Sequence, residues 1–317
     1  MTVSQLELEE PVAAPGRSSL GHQERLDCRF GIRLVIPGLL VIIAILPYTV
    51  IDAFWMSMHS NAVGPFPVKF IGLRNYGALL HDPTFIGSVD RSLYFTAFTV
   101  IPGVVIGLAL AMLLTKDFRG KKLARILILV PWAMPEVATG ITWHLIYSPT
   151  WGILNWILME IGLINQNIVW TGTQNLALAC VSFAQLWACI PFLTLLFIAG
   201  LQRVPASVTR AARIDGAGPL RRFTNVTLPA IRYPLVFACL VQTMWSLRVF
   251  GVIYVLTDGG PANGTTTLNW YAYEQTFSFL NFGTGASIAI VIAAITLLAH
   301  AFPRAEFSQK SWLTQVF

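Results

Sequence analysis

Six stretches of this chain, at roughly 33–57, 89–114, 123–147, 176–200, 233–257 and 283–303, are each long and apolar enough to cross a bilayer. A hydrocarbon core takes about 20 consecutive apolar residues as a helix, and within it every backbone N–H and C=O must find a partner inside the protein. Met six times over, that requirement selects one fold class: an all-α polytopic membrane protein with six transmembrane helices. Composition agrees, because only 11% of the residues are charged against about 25% in a soluble domain. The first stretch follows some thirty more polar residues without a small-residue cleavage site, so it reads as an uncleaved anchor. Residues 1–30, with "LELEEPVAAPG", read as a flexible tail, and 31–317 as the membrane domain.

The net charge is +6, and its distribution says more than its sum. Of 21 Lys and Arg, 17 fall in four segments on one side of the spans: the tail, residues 116–125, residues 203–232 and the C-terminus. The other side carries Lys69, Arg74 and Arg91, while Arg248 falls within a span. The positive-inside rule then makes both termini cytoplasmic. On the outer side, Phe66–Phe85 and Ser148–Asn175 mix aromatic and polar residues and read as ordered loops, with Trp151, Trp156 and Trp170 suited to the membrane interface. Cys180 and Cys189 are nine residues apart on one span, about 13 Å along a helix, too far to bridge.

The cytoplasmic segment "RAARIDGAGPLRRFTNVTLPAIRYPL" (Arg210–Leu235) interrupts the oil with five arginines, glycines and prolines. Pro205 pre-sets a helix start and Ala206–Ile214 suit a short helix. Asp215-Gly216 can end it, since glycine enters the left-handed region without a steric cost. Pro219 can open a second helix, and Leu228-Pro229 lead into the fifth span. A helix, a glycine turn and a second helix make a rigid projection. Its small Ala211, Ala212 and Ala217 permit close docking, and its arginines favour an acidic partner or the anionic membrane lipids of the inner leaflet.

The spacing is specific: Ala211-Ala212, three residues, Gly216, nine residues, then Val226-Thr227-Leu228-Pro229. It resembles the EAA loop of ABC importer permeases, and "AARIDGA" is most similar to the carbohydrate-uptake branch with its maltose, trehalose and glycerol-phosphate systems. "FIGLRNY" (Phe70–Tyr76), "WGILN" (Trp151–Asn155), "AGLQRVP" (Ala199–Pro205) and "VFGVIYVLTDGGPANGTTTL" (Val249–Leu268) follow that branch in order. The resemblance implies a type I ABC importer permease fold in a bacterial inner membrane, paired with a second homologous permease subunit. It also implies two ATP-binding subunits that hold ATP and Mg, so that this chain has no cofactor of its own, and an external substrate-binding protein or lipoprotein that delivers the sugar. Residues of about 203–232, with Arg210, Ala211, Ala212, Asp215, Gly216, Ala217, Leu228 and Pro229, would couple to the ATPase. Arg210 stands where the family has glutamate, so a carboxylate contact does not carry over to it. In the outer loop, Asp258, Gly259, Gly260, Pro261 and Asn263 are expected as a gate or receptor contact.

No enzyme site is legible. Gly259-x4-Gly264-Thr265 has the glycine spacing of a phosphate loop without its lysine. The five histidines are scattered without ligand spacing, and no nucleic-acid partner is expected. The energy source belongs to another chain. Within the spans, Glu136 and Arg248 sit near the middle of the third and fifth stretches, at depths differing by about 3 Å on straight helices. Ionisable groups there usually face a cavity or a partner, so the two are expected to pair or to flank a water-filled path. Gln242, Trp245 and Arg248 wind along one side of the fifth stretch and combine the aromatic, amide and charged groups that a sugar needs. Gln185, Trp187, Trp143 and His144 are weaker candidates. The alternatives are a glycerol-phosphate ABC permease, or a secondary transporter driven by an ion gradient, which would want intramembrane carboxylates and an inverted repeat.

Overall fold

In the computed structural model, residues 17–60 and 68–307 are described. They form fourteen α-helices in chain order: α1 (Arg17–Ser57), α2 (Arg74–Leu79), α3 (Pro83–Thr115), α4 (Lys121–Ala133), α5 (Glu136–Ile146), α6 (Ile153–Glu160) and α7 (Gln174–Leu201). After these come α8 (Ala206–Ile214), α9 (Pro219–Arg222), α10 (Leu228–Ala230), α11 (Arg232–Leu247), α12 (Gly251–Leu256), α13 (Leu268–Tyr273) and α14 (Phe282–Phe307). No strand forms among the described residues. Residues up to Asp52, most of α1, are one unit, and Ala53 onward another. α1 begins inside the stretch read as a flexible tail.

The second unit is built on α3 and α7. Asp82 caps α3 by accepting the Thr84 N–H at 2.9 Å, with Pro83 at the first helical position. Glycines let the two helices close: a Cβ on Gly107 would lie 2.8 Å from Leu193 Cβ and 3.3 Å from the Thr194 nitrogen. Small residues at such crossings are how membrane helices gain packing where lipid offers no hydrophobic drive.

Along this spine lie two separate cores. One gathers Phe95, Leu178, Val181 and Ala184 with Trp143 and Tyr147, Val252, Ile253 and Leu256, and Trp270. The other gathers Leu108, Ala111, Leu114, Leu193, Phe197 and Ile198 with Ile231 and Ala238. A third, smaller cluster seats α13 and α14 on the start of α3 through Phe85, Leu268, Tyr271, Ile288 and Ile292.

Four helices are continuous candidates for spans: Arg33–Ser57, Pro83–Thr115, Gln174–Leu201 and Phe282–Ala299. The other two expected spans are broken, which is the main departure from the sequence reading. The third bends by 99° between α4 and α5. Met134 is extended (ψ 130°) because the following Pro135 disfavours the helical region, and Pro135 brings no N–H to continue the ladder. The chain bends by 70° where α10 meets α11, just before the fifth stretch, and the stretch itself is broken after Leu247. Arg248 is therefore not inside a helix, as hydropathy implied, but the residue just past the end of α11, and the chain restarts as α12 only at Gly251.

Among the described residues the two outer loops are ordered as expected; Phe66 and Pro67, at the start of the first, lie outside the described residues. Asn75 Nδ2 donates to the Ser57 and His59 carbonyls at 2.8 and 2.9 Å. Asn155 is buried, donating to Ile168 O at 2.9 Å and accepting from Trp170 Nε1 at 2.9 Å. Trp170 thus belongs to the loop's interior, whereas Trp151 and Trp156 are exposed as an interfacial role requires.

Gly107→Val should force α3 and α7 apart at backbone contact and cost about 1–3 kcal/mol. Gly77→Ala, where a Cβ meets nothing within 4 Å, serves as control. Thermal unfolding of the purified membrane protein checks this; equal midpoints for the two variants would contradict the packing.

Candidate functional site

The arginine-rich projection forms as its local chemistry dictates. α8 follows Pro205 and closes in a Schellman turn: the Gly216 N–H reaches Arg213 O at 3.1 Å and the Ala217 N–H reaches Ala212 O at 3.0 Å. Gly216 has φ +74°, and a Cβ there would meet nothing within 4 Å. The demand for glycine is torsional rather than steric. Pro219 opens α9, a π-helical turn (Phe223–Thr227) follows, and Leu228 and Pro229 open α10.

Arg210, Arg213 and Asp215 are exposed, as is Ala211, while Ala212 and Ala217 are half-buried. Ile214 and Leu220 flank the turn at 86% and 76% exposure, an apolar tip rimmed by arginines. At the two ends of the projection, Val204 and Phe223 pack on the core that holds Leu193, Phe197 and Ile231. The projection is thus joined to that core at both ends.

Where the third and fifth spans break, a cavity of about 390 Å³ opens. Its wall includes Trp132 and Met134 from the end of α4, Glu136 and Thr139 from α5, Gln185 and Cys189 from α7, Trp245 from α11, and Arg248 just past the end of α11. Phe192 ties the two tryptophans together, 6.0 Å from Trp132 and 4.7 Å from Trp245 between ring centroids.

Glu136 and Arg248 thus share one cavity but make no direct ion pair; among the described residues the one pair within 4 Å is Lys121–Asp117. Glu136 Oε2 instead accepts the Gly251 N–H at 2.9 Å, and no hydrogen bond to a described residue occupies the Arg248 guanidinium. Gln185 Oε1 and Thr139 Oγ1 are buried without a partner in the cavity wall. Gln242, singled out by helical spacing, lies fully buried beside Ser246, with its Nε2 3.5 Å from Ser246 Oγ. Trp143 and Trp187 meet edge to face at 5.7 Å in the outer core instead of the cavity wall.

Sequence reasoning missed Thr139, Cys189, Trp132 and Met134. The signal available for them was "PWAMP", two prolines four residues apart in the middle of an apolar stretch, which marks a break rather than a straight helix.

The loop after α12 is a knot of threonine hydroxyls and left-handed backbone. Asp258, Gly259, Ala262 and Asn263 all have positive φ, and Gly260-Pro261 is cis. Thr265 Oγ1 lies 2.7 Å from Thr257 Oγ1 and donates to Gly260 O at 3.0 Å; Thr266 Oγ1 donates to Gly259 O at 3.1 Å. A Cβ on Gly264 would sit 2.6 Å from Gln174 Cα, and Gln174 Nε2 donates to Ala262 O at 2.7 Å, so the loop is fastened to the start of α7.

Asp258 and Asn263 remain exposed at its surface. Nearby, burial raises the Glu274 carboxyl above its ordinary range, with the charge of Asp258 adding to the shift. Burial also raises the Tyr271 phenol, which donates to Asp82 and so ties α13 to the cap of α3.

Comparison with known proteins agrees with this geometry. Residues 103–305 match the family model "Binding-protein-dependent transport system inner membrane component". The chain is 34% identical to the "Trehalose/maltose transport system permease protein MalF" of Thermococcus litoralis over 86% of its own length and 91% of that protein's. It is 32% identical to the "Sulfoquinovosyl glycerol transport system permease protein SmoG" of Agrobacterium fabrum (87% and 89%). To the "sn-glycerol-3-phosphate transport system permease protein UgpA" of Escherichia coli O157:H7 it is 32% identical (84% and 89%). The fold matches a chain of a bacterial ABC transporter that imports the acidic polysaccharide alginate, with TM-score 0.74 at 18% identity over 90% of this chain and 99% of that one. Helices broken around a polar cavity, a projecting glycine turn and relatives matched over nearly their whole length converge: the chain belongs to the binding-protein-dependent inner-membrane permeases, as a non-catalytic, sugar-type subunit of an ABC importer.

Proposed function

We propose that this chain forms half of the path by which an oligo- or disaccharide enters the cell, driven by ATP hydrolysed on two partner subunits. The observation that carries this is the placing of the cavity. It opens where two spans break, and the inner segments of those spans share a core with the ends of the arginine-rimmed projection. Closure of the ATPase subunits, with their ATP and Mg, pushes on Ile214, Leu220 and the arginines around Gly216, and the core passes the push to the cavity.

A saccharide fits the wall. Trp132 and Trp245 offer flat apolar faces to C–H groups, while Gln185, Thr139 and Arg248 offer hydrogen bonds to hydroxyls. Sugar transport in the trehalose/maltose relative points the same way.

A second permease subunit completes the path, and an external binding protein or lipoprotein delivers the substrate to the loop of Asp258, Gly259, Gly260, Pro261 and Asn263. The solved alginate transporter in complex with its pentasaccharide-bound periplasmic protein is a precedent for that delivery. The excess of Lys and Arg on that side supports a cytoplasmic position for both termini and the projection.

A second reading, a glycerol-phosphate substrate, has one observation in its favour: Arg248 lines the cavity without an ion pair, and the glycerol-3-phosphate permease is a relative. An ion-driven secondary transporter is disfavoured, since Glu136, the carboxylate of the cavity, is engaged by backbone.

Purification from the native host tests the assignment: ATP-hydrolysing subunits should co-elute, and membranes should take up labelled disaccharide only with ATP. Uptake driven by an ion gradient through this chain alone would overturn it. Trp245→Ala should raise the half-saturating sugar concentration about tenfold, or about 1.4 kcal/mol, with ATP hydrolysis retained. Gly216→Val, forcing a branched residue into the left-handed region at about 1–2 kcal/mol, should strip the ATPase subunits during purification, whereas Gly216→Asn should keep them. Gly264→Ala should lower stimulation of ATP hydrolysis by the binding protein by at least about threefold, because its loop cannot close on Gln174; normal stimulation would remove the loop from the delivery step.

A further inference from the structure

The outer segments of the two broken spans are joined to each other at the point where both restart. α5 begins at Glu136 and α12 at Gly251, and the carboxylate of the first accepts the N–H of the second at 2.9 Å across 115 residues of sequence. Gly251 has no side chain where Glu136 passes: a Cβ there would lie 2.8 Å from Glu136 Cβ and 2.9 Å from Oε2. One turn further on, Gly140 gives the same clearance to Val255, 2.8 Å from its ideal Cβ to Val255 Cβ. Trp143 and Tyr147 of α5 and Val252, Ile253 and Leu256 of α12 then share one core.

A helix that starts in a membrane leaves its first N–H groups without partners. Glu136 supplies to α12, from another span, what a capping side chain usually supplies from the residue before the helix. The inner segments belong elsewhere: Ala124 and Ile128 of α4 and Ala238 of α11 pack in the other core.

We infer that α5 and α12 travel as one rigid body during transport, with α4 and α11 swinging against it at 134–135 and 248–250, and that Glu136 is the positioning residue that locks the pair. The inference rests on the import reading above and goes beyond it in saying which halves move together. It also divides the roles of the two charges in the cavity. Glu136 holds backbone, and Arg248, at the mouth of the second break, changes its place relative to the outer body as the inner arms swing. The cavity wall is drawn from both bodies, so the swing itself reshapes the substrate path.

The test uses the complete transporter in native membranes, where uptake by the unmodified complex reports separately on the import reading. With a Gly140→Cys, Val255→Cys pair, whose Cβ atoms must part by about 1 Å to reach disulfide spacing, oxidation should form a bridge, located by mass spectrometry, and uptake should stay within about twofold of the reduced sample. Failure of the bridge to form, or uptake that is lost on oxidation and recovered on reduction, overturns the rigid body. Oxidised unmodified complex controls for the native cysteines. Glu136→Ala should lower maximal uptake about tenfold with the half-saturating concentration little changed, and Glu136→Gln should recover most of that loss, because an amide oxygen accepts the same N–H. A glutamine variant as poor as the alanine one, or a change confined to the half-saturating concentration, would make Glu136 a substrate contact and overturn the lock.

Discussion

A helix that stops within a membrane span strands backbone groups where no water can satisfy them, and in this chain two of the apolar stretches are interrupted helices. The rest of the architecture is arranged around meeting that demand. At the second break, Asn269 Nδ2 donates to the carbonyls of Arg248 and Val249 at 3.1 and 3.4 Å, and Glu136 takes the Gly251 N–H from the opposite side. α13 must therefore return to the level of the break, and its Trp270 closes the aromatic cluster with Phe250, Tyr254 and Tyr273. The cavity lies at the same level because irregular backbone in a membrane is tolerated only where it is buried in protein or lines a polar space.

Continuous and broken helices divide the work. α3 and α7 run through both cores, held together at glycines too tightly packed to admit a Cβ. α4 and α11 belong to one core, α5 and α12 to the other. A packed core resists deformation, so relative motion concentrates at the residues between cores, and those residues line the cavity. The arginine-rich projection joins the core of α4 and α11 through Val204 and Phe223, so continuous packing links it to the segments that end at the cavity.

Much of this was readable from residue order. The short helix Ala206–Ile214 and its glycine exit follow from Pro205, Asp215 and Gly216 acting within a single turn, and such signals are local by nature. The continuous spans followed from hydropathy, although α3 begins at Pro83, six residues before the apolar stretch, because a capped, proline-started helix outlasts its oil. The breaks did not follow from hydropathy: averaging over a span cannot see a two-residue interruption, and the paired prolines Pro131 and Pro135 were the local sign of the first. Treating the spans as straight put Glu136 and Arg248 at nearly one depth. They do share a cavity, but the 99° bend and the end of α11 at Leu247 leave them attached to different partners. Helical spacing likewise grouped Gln242 with Trp245, yet Gln242 is fully buried and Trp245 lines the wall.

The residue order alone determined that the chain spans a membrane as helices, that a basic projection with a glycine turn interrupts them, and that no nucleotide-binding loop is present. Each of these depends on composition or on contacts within a few residues. Only the tertiary structure decided where the spans break, which side chains reach the breaks and how the two cores partition the helices. Those outcomes rest on pairs such as Glu136 with Gly251 and Gly107 with Leu193, brought together across 80 or more residues by packing that no local rule encodes.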